Sequence, residues 1–179
     1  MARLVAAVLA GLAAASAAAV AVAAPATAER RPRGAVEDCS TTPGWGRRDE
    51  FTSRQNLVVG PFAVERGKVL GYSPKVGGEK LFVYVRGGHR ATVELPYRTR
   101  KDGLKFGPHR GGSVPTRRVV TFIACQRGEL SGRFDGWPVT SWVGFLLASE
   151  PRCVPLRVWV DDEPRPRRAV IRFGVTSCD

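Results

Sequence analysis

The chain has 179 residues, a formal net charge of +12, two histidines and four cysteines. That length suits one domain with room for a real core. The cysteines share no C-x-x-C spacing, which argues against zinc and dithiol redox chemistry, so neither metal nor cofactor is expected.

In chain order, Arg3 precedes an uncharged apolar run from Leu4 to Ala24, and Ala26-Thr27-Ala28 follows as an A-x-A site. Residues 1–28 read as a cleaved secretory signal, with Glu29 opening the mature chain. The rival is a membrane anchor: twenty-one residues just span a bilayer, but alanine is weakly apolar. No lipobox precedes Cys39, and the mature product is expected to lack a transmembrane segment. It would have 151 residues and a net charge of +11. Its even cysteine count, in an oxidising compartment, predicts two disulfides and no free thiol.

Residues 29–54, with Arg30, Arg31, Pro32, Arg33, Pro43, Gly44 and Gly46, read as an extended lead-in tied down by Cys39. From 55 to 179 short Val- and aromatic-rich runs alternate with Gly and Pro. Strands are expected at 56–64, 68–72, 80–86, 90–96, 118–125, 139–148, 154–160 and 168–175, with no long helix and no internal repeat. The fold class is all-β: an antiparallel β-sandwich of about seven or eight strands stapled by two disulfides.

Two hairpins can be put in register. Leu81, Val83 and Val85 alternate with Phe82, Tyr84 and Arg86, and Ala91, Val93 and Leu95 with Arg90, Thr92 and Glu94. Pairing Val85 with Ala91 puts the aliphatics on one face and leaves Gly87-Gly88-His89 as the loop, with His89 at its tip. In the second hairpin Val154, Leu156, Val158 and Val160 match Ala169, Ile171, Phe173 and Val175 across the loop Asp161–Arg167. Cys153 and Cys178 then share the opposite face at the open end, which allows a Cys153–Cys178 bond. If the last four strands run up and down in turn, Cys39–Cys125 remains as the second bond.

Catalytic signals are sparse. There is no G-x-S-x-G, and His89 and His109 lie in Gly-rich loops, so nucleophilic catalysis has no support. Glu129 and Asp135 beside Trp137 could act as a carboxylate pair. Asp161, Asp162 and Glu163 sit where turn chemistry already accounts for acidic residues. Trp45, Trp137, Trp142 and Trp159 could stack on sugars, but core packing is the better reading.

The stretch 97–118 departs from the strand rhythm. Arg98, Arg100, Lys101, Lys105, Arg110, Arg117 and Arg118 face Asp102 alone, and four glycines allow backbone amides to turn toward an anion. It is no P-loop, and Leu104 and Phe106 suggest one more strand. Arg98, Arg100, Lys101, Lys105 and Arg110 are the candidate anion-binding residues. In an exported protein they would meet an anionic envelope polymer, lipid head groups or an acidic protein, not nucleic acid. An arginine-rich composition also follows from a GC-rich genome, in which case the charge serves only solubility.

Phe122-Ile123-Ala124-Cys125, Gly144-Phe145-Leu146, Cys153 to Val158, and Phe173-Gly174 before Cys178 resemble secreted, cysteine-paired β-proteins of actinobacteria, over about the last third of the chain. That resemblance implies compartment and fold, and no catalytic residues. Cys153, Pro155, Val158 to Asp161, the basic return strand and Cys178 also look like the disulfide hairpin of the subtilisin-inhibitor family. By that likeness Val154, Pro155 and Leu156 would hold the protease-binding loop, although proline there and the other cysteine spacings depart from the pattern. The leading expectation is an exported, non-enzymatic domain bound to an anionic envelope partner. A protease inhibitor comes second and a small secreted hydrolase third.

Overall fold

The computed structural model describes residues 29–41, 44–45, 48–66, 78–96, 102–106, 114–126 and 139–178. The expected signal at 1–28 and the expected strand at 68–72 lie outside them. Two sheets face each other. The first holds, in spatial order, β1 (Ala35–Glu37), β8 (Val119–Ile123), β6 (Arg90–Glu94), β10 (Arg152–Val160) and β11 (Arg167–Phe173). The second holds β2 (Gly44–Trp45), β9 (Val139–Leu147), β5 (Gly78–Arg86), β4 (Phe62–Glu65) and β3 (Asn56–Val59), with β7 (Gly103–Lys105) also on β9. One helical turn, α1 (Arg48–Phe51), precedes β3. Eleven strands among the described residues exceed the seven or eight expected. All pairings are antiparallel except β1 on β8.

Period-two alternation sets what is buried, because successive side chains leave opposite faces of a strand. Leu81, Val83, Val85 and Trp142 from the second sheet meet Ala91, Val93, Phe122, Val158 and Ile171 from the first in one core. The Phe122 ring lies 5.4 Å from Trp142 and edge-on to Phe106 at 4.9 Å. Leu104 and Phe106 are buried, and the strand expected around them is β7.

The hairpin 154–160/168–175 forms as expected, with Val154 opposite Ile171 and Leu156 opposite Ala169. The other expected hairpin does not form. β5 pairs with β4 and β9, and β6 with β8 and β10, so Gly87-Gly88-His89 carries the chain from one sheet to the other. Val85 and Ala91 do share the core, but they face it from opposite sides. The expected strand 56–64 is itself a hairpin. Val59 pairs with Phe62 across Gly60-Pro61, and Gly60 adopts φ +63°, a left-handed conformation that glycine takes without strain.

Both expected disulfides are present, Cys39–Cys125 and Cys153–Cys178. The route to the first differs from expectation, since β9 lies in the other sheet from β8, β10 and β11 and breaks the up-and-down run. Cys39 reaches Cys125 because β1 runs parallel to β8, with Glu37 beside Phe122. The lead-in 29–54 thus contributes β1, β2 and α1. Its first residues are fastened as well: the Glu29 backbone N–H donates to the Pro164 carbonyl at 3.0 Å, and the Glu29 carboxylate pairs with Arg157.

Candidate anion-binding face

The outer face of the second sheet carries the candidate residues. Lys80, Phe82 and Tyr84 alternate outward along β5, while Leu81, Val83 and Val85 turn into the core. β9 places Phe145 opposite Lys80 and Val143 opposite Phe82, and β7 adds Lys105 on the far side of Phe145. Two lysines therefore flank one half-buried aromatic ring, about 10 Å apart across two strand spacings. The Lys80 ammonium lies 5.1 Å from the centre of the Phe82 ring, and Phe82 stacks on Tyr84 at 6.5 Å. The result is a partly apolar strip with lysines on either side of Phe145 and the Glu65 carboxylate on the β4 side of Phe82, where it accepts the Phe82 backbone N–H at 3.3 Å.

β7 is fixed from both sides. It pairs with β9 through Leu104 opposite Leu146. Its other edge exchanges two backbone hydrogen bonds between Leu104 and Arg117, at 2.6 and 2.8 Å. The approach to β9 depends on Gly144: a Cβ there would lie 2.4 Å from the Lys105 carbonyl oxygen and 2.5 Å from the Phe106 ring.

Of the five expected anion-binding residues, Lys105 stands on this face. Arg98, Arg100, Lys101 and Arg110 lie outside the described residues. Arg118 donates to the Leu95 carbonyl at 2.7 Å, a structural bond. The sequence signal for Lys80 is its shared parity with Phe82 and Tyr84, which a hairpin register for this run does not single out.

Other sequence candidates resolve differently. Trp142 and Trp159 are buried, Trp159 beneath the Arg157 guanidinium at 4.8 Å. His89 Nδ1 sits 2.8 Å from Asp161, whose other oxygen accepts the Arg90 backbone N–H at 2.9 Å. Burial pushes the Asp161 carboxyl up, but those bonds and the nearby positive charge outweigh it and hold it below the usual range. Asp162 pairs with Arg90 and Glu163 with Arg167, so this acidic tip is committed to local ion pairs. Glu129, Asp135, Trp137 and His109 lie outside the described residues. Val154 and Leu156 are core residues within β10.

Among the described residues no helix is long and apolar enough to cross a membrane, and no group of three or more His, Cys, Asp or Glu side chains is placed to hold a metal. Comparison with family models, curated proteins and solved structures finds no match.

Proposed function

We propose that the chain is an exported, non-enzymatic binding domain that holds an anionic polymer of the cell envelope against the outer face of its second sheet. The observation that carries this reading is the placement of Lys80 and Lys105 on either side of Phe145, beside half-buried Phe82 and Val143. In sequence, the segments that follow Pro96 and Phe106 hold Arg98, Arg100, Lys101 and Arg110. Two disulfides suit an oxidising compartment.

The test is binding of the purified protein to anionic cell-wall polymer at low and high salt. Lys80→Gln with Lys105→Gln should weaken binding about ten- to thirtyfold at low salt, on the scale of about 1 kcal/mol per lysine at an anionic surface. Arg165→Gln with Arg168→Gln removes the same charge from the first sheet and its loop, and should cost much less. Equal losses in the two variants would mean that net charge alone is responsible. No loss in either would refute the reading.

A further inference from the structure

On the first sheet, the β6–β10 ladder runs from Ala91 opposite Val160 to Glu94 opposite Arg157, and stops there. Two residues further on, the same register would set Pro96 against Pro155. Neither has an N–H to give, so the ladder cannot continue through that pair. A cleft of about 400 Å³ opens at this place, with Glu29, Pro96, Pro155, Arg157, Arg168 and Val170 along its walls. Small-molecule sites typically measure about 300–1,000 Å³. The β10–β11 register sorts the lining into two rows, Pro155 opposite Val170 and Arg157 opposite Arg168. Val170 is 46% exposed, an apolar side chain left facing water. Like charges directly opposite each other destabilise an antiparallel pair. Arg157 is neutralised: it pairs with the Glu29 carboxylate and with Glu94 at 3.3 Å, and its guanidinium lies over the Trp159 ring. Arg168 is exposed and has no acidic partner among the described residues, and Glu163 in the adjoining loop is held by Arg167.

We infer that this cleft binds a small carboxylic acid with an apolar body, its carboxylate on the Arg168 guanidinium and its hydrocarbon part against Pro96, Pro155 and Val170. A guanidinium presents a planar fork of donors that matches the two oxygens of a carboxylate. The fork of Arg168 is unspent, whereas the Glu29 carboxylate on the same wall is already held by Arg157. The sign of the ligand follows: an ammonium would meet carboxylates that are engaged, and a carboxylate meets a cation that is not. Covering Val170 and the two prolines removes apolar surface from water, a gain in proportion to the area covered. At about 30 Å³ per water the cleft holds roughly thirteen waters, room for an acid of about six carbons. It lies on the opposite side of the sandwich from Lys80 and Lys105 and does not rest on the polymer reading.

The probe is sodium hexanoate, with sodium acetate, hexan-1-ol and hexylammonium chloride as separate arms at matched ionic strength. Binding is followed by amide shifts in nitrogen-15 correlation spectra at pH 7. Saturable shifts with hexanoate are expected at Leu156, Arg157, Ala169 and Val170. Acetate, which lacks the tail, and hexan-1-ol, which lacks the charge, should each bind more weakly. Arg168→Gln should weaken hexanoate binding about tenfold, as loss of a hydrogen bond to a charged group does. Val170→Ser should weaken it about threefold through lost apolar contact. Both side chains are exposed, so neither variant threatens the fold. Absence of saturable hexanoate shifts, or unchanged affinity in Arg168→Gln, overturns the inference. Hexan-1-ol or hexylammonium binding as tightly as hexanoate overturns it too. The Lys80→Gln/Lys105→Gln variant should keep its hexanoate affinity; a loss there equal to that in Arg168→Gln would mean that general charge attraction, and not this cleft, holds the acid.

Discussion

The Cys125 backbone N–H donates to the Thr140 hydroxyl at 2.9 Å, across the gap between the two sheets. Cys125 follows β8 in the first sheet and Thr140 stands on β9 in the second, and both are buried. The bond lies next to the Cys39–Cys125 disulfide, so covalent and polar ties meet at one corner of the sandwich. Thr140→Val keeps the shape and strands a buried donor. It should cost about 1–3 kcal/mol in urea unfolding.

The two disulfides close loops of very different length, with sequence separations of 86 and 25. In the chain-entropy account the longer is worth about 4.5 kcal/mol and the shorter about 3.5 kcal/mol. Replacing Cys39 and Cys125 by Ser should therefore lower the unfolding midpoint more than replacing Cys153 and Cys178. Thiol labelling of the unreduced protein should find no free cysteine.

Gly144→Ala drives a methyl group against the Lys105 carbonyl and the Phe106 ring. Overpacking of this kind costs about 1–3 kcal/mol, and relief requires β7 to move away from β9. The variant should lose stability and, because Lys105 moves with β7, polymer binding as well.

Glu37 is a buried carboxyl on β1. Burial pushes it above the ordinary value of 4.5, the bond from Thr41 opposes the shift, and the neighbouring Asp38 charge adds to it. For an acid raised in the folded state, the stabilising contribution is complete below the unfolded value and is lost as pH rises through the folded one. Glu37→Gln should thus be more stable than the parent at pH 7, with the difference shrinking below about pH 4.5. Urea midpoints at pH 7 and pH 4 measure both halves.

How far residues alone specify this fold is plain from paired cases. Alternation correctly sorts Val83 and Val85, and Ala91 and Val93, onto buried faces. It is silent on whether two such faces belong to one sheet or to two that oppose each other. The β10–β11 hairpin was legible because its Pro- and Arg-rich loop cannot bury itself and its two aliphatic rows match in length. Gly60-Pro61 is itself a turn signal inside the expected strand 56–64, and left-handed Gly60 is where the chain reverses. β1 has three residues, one of them a glutamate, and gains its place from parallel pairing with β8, a contact with no local signature. Lys105 was legible as part of a charged stretch. Lys80 was not, because it joins that surface only through β9.

The edge strand β11 also bears on how the molecule behaves in concentrated solution. An unpaired strand invites a strand from another copy to add to it. Here the Arg172 backbone N–H is already taken by the Arg66 carbonyl at 3.1 Å, and Arg167 and Arg168 stand exposed at the start of the strand. A second copy docking there would have to break that bond and bring like charges together. This edge of the first sheet is thus guarded against templated stacking by another copy.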